Sequence, residues 1–214
     1  MSGPVPTVTA LQDIYTAQAV PEERSRWGRL LEKFQATYGG AAQFVARSPG
    51  RVNIIGEHID YSLYSVLPMA MTADVILAVS TDVAPAASAP EGTYRVELAN
   101  VDADRFPARE FDVHYAGVEV DAAHHDWTNY FKCGLRGALE LLRKKHGPDF
   151  RPAAMRVLMD GTVPAGGGLS SSAAFVSASA LAVMVANGET DIDKKDLTEV
   201  AIVSERAVGV NSGG

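Results

Sequence analysis

The sequence has a single cysteine, Cys133, in 214 residues. One thiol can form no intrachain disulfide and cannot supply a cysteine-based structural zinc site. Basic residues are also in deficit: 19 Lys plus Arg stand against 26 Asp plus Glu, a formal net charge of −7. Nucleic-acid binding needs clustered cations on phosphates, so this balance argues against that partner. A nucleotide stays open, because backbone amides and one magnesium ion can hold it. No apolar run approaches the roughly 20 residues that span a bilayer. The opening Met1-Ser2-Gly3-Pro4-Val5-Pro6 has neither the basic nor the apolar region of a secretory leader. These absences give the expectation of a soluble, cytoplasmic chain with no membrane partner. Its bulk is ordinary: 47% hydrophobic and 21% charged residues fit a globular protein with a core, in one large domain or two small ones.

Hydrophobic spacing predicts the elements. A helix is expected from Glu22 to Tyr38, with Trp27, Leu30, Leu31, Phe34 and Tyr38 on one face, Pro21 at its entry and Gly39-Gly40 at its end. Short strands are expected over Gln43–Ala46 and Arg51–Ile55, separated by a turn at Ser48-Pro49-Gly50. Further strands are expected over Ala73–Thr81, Tyr94–Asn100, Phe111–Tyr115 and Ala154–Met159. Trp127 to Lys145 reads as a helix, with Asn129 as a cap and Gly147-Pro148 as its stop. Ser170 to Asn187 reads as a helix almost without charge, which must be buried on nearly every side, with Gly188 as its cap. Asp193 is a candidate N-cap for a last helix whose Leu197, Ala201, Ser204 and Val208 share a face. Strands come in pairs and helices are not strictly interleaved with them, so an α+β fold is expected rather than a doubly wound sheet.

Two stretches carry chemistry. The first is Pro164-Ala165-Gly166-Gly167-Gly168-Leu169-Ser170-Ser171-Ser172-Ala173-Ala174. Successive glycines let the backbone turn tightly and approach a ligand with no Cβ in the way. The helix that follows offers unpaired N–H groups and a partial positive charge to a polyphosphate, and serine hydroxyls can ligate magnesium. A P-loop would need a lysine here, and the dinucleotide fingerprint would need glycine at Ser171. A flexible turn before a core helix accounts for the loop equally well, although one capping serine would then suffice.

The second stretch is Pro49-Gly50-Arg51-Val52-Asn53-Ile54-Ile55-Gly56-Glu57-His58-Ile59-Asp60-Tyr61. It sets Arg51, Glu57, His58 and Asp60 together directly after a strand, and sugars are read by charged hydrogen-bond partners of this kind. The same residues could form a metal site or a solvated polar loop, but the His-Glu-x-x-His spacing of a zinc protease is missing.

Together these stretches resemble the GHMP kinase superfamily. The loop Pro164–Ala174 resembles its shared phosphate-binding motif, and Gly50–Tyr61 resembles the signature of its galactokinase branch. Trp127-Thr128-Asn129-Tyr130-Phe131-Lys132 resembles a third family stretch, near the nucleotide base. The resemblance runs from about Ala46 to the end. It implies the GHMP kinase N-terminal domain, of the ribosomal protein S5 domain 2-like fold, over residues 46–214, preceded by an N-terminal arm and helix over residues 1–45.

The function implied is transfer of the ATP γ-phosphoryl group to the C1 hydroxyl of galactose. Glu57, His58, Asp60 and Gly213 would hold the sugar, and Arg51 would stand beside the reacting hydroxyl. Pro164, Gly166, Gly167, Gly168, Leu169, Ser170, Ser171 and Ser172 would wrap the ATP phosphates, with Trp127 near the adenine. Ser172 and Glu205 would ligate Mg2+. Family members continue the closing Gly213-Gly214 with Met-Asp-Gln, whose aspartate is the proposed base, and then with a C-terminal domain that walls the other side of the cleft. Without them the chain is expected to be inactive alone and to fold less well. Two alternatives remain: a galactose- and ATP-binding transcriptional sensor with a regulatory protein partner, disfavoured by the intact serine loop, and a kinase for a related sugar such as N-acetylgalactosamine.

Overall fold

The computed structural model describes residues 3–56, 64–83, 90–121, 123, 124 and 126–205. After a 3-10 turn at Leu11–Asp13, the elements follow in the order α1 (Val20–Tyr38), β1 (Phe44–Ile55), β2 (Leu67–Ser80), β3 (Thr93–Asn100), β4 (Arg109–His114), α2 (Thr128–His146), β5 (Met155–Gly161), α3 (Ser171–Ala186) and α4 (Lys194–Glu205). The strands form one sheet in the order β1-β2-β5-β3-β4. Every pairing is antiparallel except β3 with β5, which the chain joins through β4 and α2. This is the α+β arrangement expected. No described helix is long and apolar enough to cross a membrane.

Strand alternation divides the sheet into two buried faces. Val75, Leu77 and Val79 of β2 and Met155 and Val157 of β5 join Phe131, Leu135, Leu139 and Leu142 of α2 and Phe175, Ala178 and Ala182 of α3 in the main core. Ile76 and Ala78 of β2 and Leu158 of β5 point the other way, against Leu30 and Phe34 of α1. Each such apolar side chain stabilises the fold by about 1.5–3 kcal/mol relative to an exposed position.

The uncharged α3 is buried along most of its length, as its composition requires. It lies so close to α2 that a Cβ on Gly134 would sit 2.5 Å from the Val176 carbonyl oxygen and 2.6 Å from Ser179 Cβ. Asp193 caps α4 as expected: its carboxylate accepts the Lys195 N–H at 2.7 Å and its carbonyl accepts the Leu197 N–H at 3.0 Å.

Four local expectations are corrected. Ser48-Pro49-Gly50 is not a turn: β1 runs through it as one strand, and the sheet absorbs it as a register shift between Pro49 and Arg51, where proline has no N–H for the ladder. Leu31 is 41% exposed, because the face of α1 is narrow and centred on Leu30 and Phe34. Ser170 precedes α3 in a left-handed conformation and makes no side-chain capping bond. Asn129 does not cap α2 either. Asp126 does so, accepting the Thr128 N–H at 2.9 Å, while buried Asn129 donates its amide to the carbonyls of Asp121 and His124.

Candidate active site

The glycine-rich loop begins where β5 leaves the sheet. Val163 is buried, and residues from Pro164 to Gly168 are exposed. Gly166 and Gly168 have φ of +74° and +67°, and Ser170, at +62°, is the one non-glycine with positive φ among the described residues. Glycine makes that path cheap; the serine carries backbone strain. The loop delivers Ser171 and Ser172 to the first turn of α3, whose first turn holds no acidic side chain to occupy its N–H groups. The exposed loop, the unneutralised helix start and the hydroxyls together suit an anion.

Arg51 is brought to this loop by its backbone. Its N–H donates to the Leu169 carbonyl at 3.0 Å. Gly50 permits that contact, since a Cβ there would lie 2.9 Å from Val163 Cγ1 and 3.0 Å from the Leu169 oxygen. Trp127 approaches from α2. It stacks on Phe175 in α3 (centroids 6.1 Å apart, 13° between planes) and donates its indole N–H to the Pro107 carbonyl at 3.0 Å. The structure therefore gathers Arg51, Trp127 and Pro164–Ser172 around the start of α3. Asn53 closes the end of β1 by donating to the Gly56 carbonyl at 2.9 Å. The expected sugar residues Glu57, His58, Asp60 and Gly213 lie outside the described residues.

Glu205 ends α4 and is 1% exposed. Burial and then the Glu205 charge push the Cys133 thiol up to about 11, which places the carboxylate near α2. Cys133, Val176 and Ala201 form one apolar cluster. Helices α3 and α4 are joined by the short loop 187–193. Ser172 lies one turn before Val176 and Glu205 one turn after Ala201, so each stands within one turn of that shared cluster. No group of three or more His, Cys, Asp or Glu able to hold a metal occurs among the described residues. One hydroxyl and one carboxylate nevertheless suit magnesium, which keeps waters and phosphate oxygens as its other ligands.

Sequence reasoning missed a charged cluster behind this loop, built on Arg26, Asp74 and Asp160. Its signal was a charge where periodicity demands an apolar residue: Arg26 sits one turn before Leu30, and Asp74 alternates with Ile76 and Ala78.

Comparison with known proteins matches both stretches of the chain. A model described as the galactokinase galactose-binding signature matches residues 32–81, and one for the GHMP kinases N terminal domain matches residues 129–214. A galactokinase of Candida parapsilosis is 45% identical over 192 residues, covering 89% of this chain and 36% of that protein. A galactokinase of Candida maltosa is 40% identical over 209 residues, 97% of this chain and 92% of that sequence. The crystal structure of Lactococcus lactis galactokinase complexed with galactose superposes with a TM-score of 0.67 at 25% identity, over 88% of this chain and 44% of that one. Both signature matches occur in the order the two motifs require, on a fold that a galactokinase shares. The chain belongs to the galactokinase family, within the GHMP kinases.

Proposed function

We propose that the full-length protein transfers the γ-phosphoryl group of ATP to the C1 hydroxyl of galactose. The observation that carries this reading is the junction of β1 and the glycine loop: the Arg51 N–H bonded to the Leu169 carbonyl at the start of an uncharged helix, within a galactose-binding signature match. In this reading residues 1–45 form an arm and helix, and residues 46–214 form the ATP- and sugar-binding domain.

The N–H groups of Gly166–Ser172 bind the ATP phosphates, and the start of α3 favours their negative charge. Trp127 borders the base. Arg51 faces the transferring phosphoryl, where its fixed cation is worth most as charge develops. Glu57, His58, Asp60 and Gly213 hold the sugar hydroxyls and orient C1 for in-line attack. Ser172 and Glu205 would hold Mg2+, which supplies charge neutralisation at the β- and γ-phosphates. A cytoplasmic setting fits the lone buried thiol. The 214-residue chain alone is proposed to lack substantial activity.

No observation favours a non-catalytic sensor. The test is turnover by the full-length product on a sugar panel. Galactose should be the preferred acceptor, and Arg51→Ala should lower kcat by about 10²–10³-fold with little change in thermal midpoint. Preference for N-acetylgalactosamine would reassign the substrate, and full activity of Arg51→Ala would remove Arg51 from its role.

A further inference from the structure

We infer that Arg26 of α1 and Asp74 of β2 are positioning residues for the phosphate loop, fixing from behind the sheet the point at which the chain leaves β5. This rests on the reading of that loop as the ATP site.

Arg26 is 4% exposed, and all five of its N–H donors are used. Nε donates to Asp160 Oδ2 at 2.9 Å, Nη1 to Glu23 Oε2 at 3.0 Å and Asp74 Oδ1 at 2.6 Å, and Nη2 to the Asp74 and Asp160 carbonyls at 3.4 and 3.3 Å. One guanidinium thus holds both the side chain and the backbone of Asp74, midway along β2, and of Asp160, near the end of β5. Asp74 is wholly buried and also accepts from the Tyr15 hydroxyl at 2.6 Å and from Arg47 Nε. Burial alone would lower the Arg26 pKa, but its bonds to Asp74 and Asp160 raise it, so the fork stays charged.

The location is specific. Val75 and Gly161 form the last β2–β5 pair, so Asp74 and Thr162 flank the exit of β5. Thr162 is tied there by three contacts: its N–H to the Asp74 carbonyl at 2.9 Å, its Oγ1 to the same carbonyl at 3.3 Å, and the Asp74 N–H to Oγ1 at 3.1 Å. Val163 then meets Gly50, and the loop begins. Across the sheet Asp74 also pairs with Pro49, at the shift that leads to Arg51. If holding α1 to the sheet were its only task, the apolar contacts of Leu30 and Phe34 would already serve it. A buried fork with three carboxylates adds geometric definition at one place. An error of about 1 Å in a positioned group can cost on the order of 10²-fold in rate.

Steady-state kinetics of the full-length product, with ATP and galactose varied separately, tests this. A wild type that does not phosphorylate galactose overturns the functional reading and this inference with it. With an active wild type, Arg26→Lys keeps the charge but loses the fork, and Thr162→Val removes both Oγ1 contacts with the Asp74 backbone, leaving only the Thr162 N–H bond to the Asp74 carbonyl. Each should raise KM for ATP or lower kcat at least tenfold while KM for galactose stays within twofold. Leu30→Ala, on the same helix face but outside the network, controls for lost stability and should keep wild-type constants when assayed well below its midpoint. If folded Arg26→Lys and Thr162→Val keep kcat and KM for ATP within twofold, or if Leu30→Ala shifts them equally, the network only fastens the helix and the inference fails. Should Arg26→Lys not fold, Thr162→Val decides alone.

Discussion

The two faces of the sheet are covered by different physics. Toward α2 and α3 the contact is apolar throughout, from Val75 and Leu77 to Phe131 and Phe175. Toward α1 it is apolar around Leu30 and Phe34, with Trp27 and Tyr38 beside them; at the end nearest the glycine loop it becomes Arg26, Asp74, Asp160 and Glu23. Apolar contact is non-directional and tolerates small sliding, whereas a hydrogen-bonded guanidinium fork fixes distance and angle. The apolar face supplies bulk stability, and the polar end specifies where one strand must stop.

The largest expected effect breaks the polar end. Arg26→Ala leaves the buried Asp74 and partly buried Asp160 carboxylates without their shared guanidinium partner, Arg47 remaining on Asp74 alone, and should lower unfolding free energy by about 3–5 kcal/mol, measured by urea titration. A loss under about 1 kcal/mol would mean that water or Arg47 compensates. Leu77→Ala, three residues on and on the opposite face, should cost about 2–5 kcal/mol. Unlike Arg26→Lys, it should leave KM for ATP within twofold. Gly134→Ala forces a Cβ against the Val176 carbonyl and should cost about 1–3 kcal/mol by overpacking; thermal melting of purified protein would read it.

The smallest effect belongs to a peripheral ion cluster that touches neither face. Lys145 holds the Glu189 carboxylate below its usual range against the opposing pull of burial, and His146, at 2.6 Å, adds to it. A carboxylate lowered on folding contributes stability above its unfolded-state pKa and loses it as pH falls through the folded value. Glu189→Gln should therefore cost about 1 kcal/mol or less at neutral pH, and the gap from wild type should close in acid. A gap that widens in acid would reverse the sign of the argument.

Much of this was legible in the sequence because it is local. The apolar spacing of Leu30 and Phe34, the uncharged stretch after Ser170 and the β-branched run ending at Ser80 each specify an element without outside help. The glycine loop and the Gly50–Tyr61 stretch pointed to phosphate and sugar chemistry through their family resemblance; by residue type alone a flexible turn and a solvated polar loop stayed open. What stayed hidden depends on long-range partners. Ser48-Pro49-Gly50 carries every local mark of a turn, yet strand pairing on β2 and the tight contact with Val163 keep it extended. Arg26 looks like a solvated helix charge until Asp74 and Asp160, 48 and 134 residues away, are beside it. Ser170 reads as the first residue of the helix, but the loop's left-handed path sets its backbone instead.

The central claim is tested most directly by incubating the full-length product with ATP, Mg2+ and galactose and following phosphorus by NMR. The account predicts a sugar phosphate at C1 appearing in step with ADP, and its loss in Arg51→Ala. ATP hydrolysis without phosphorylation of galactose, or no ATP consumption at all, would contradict it.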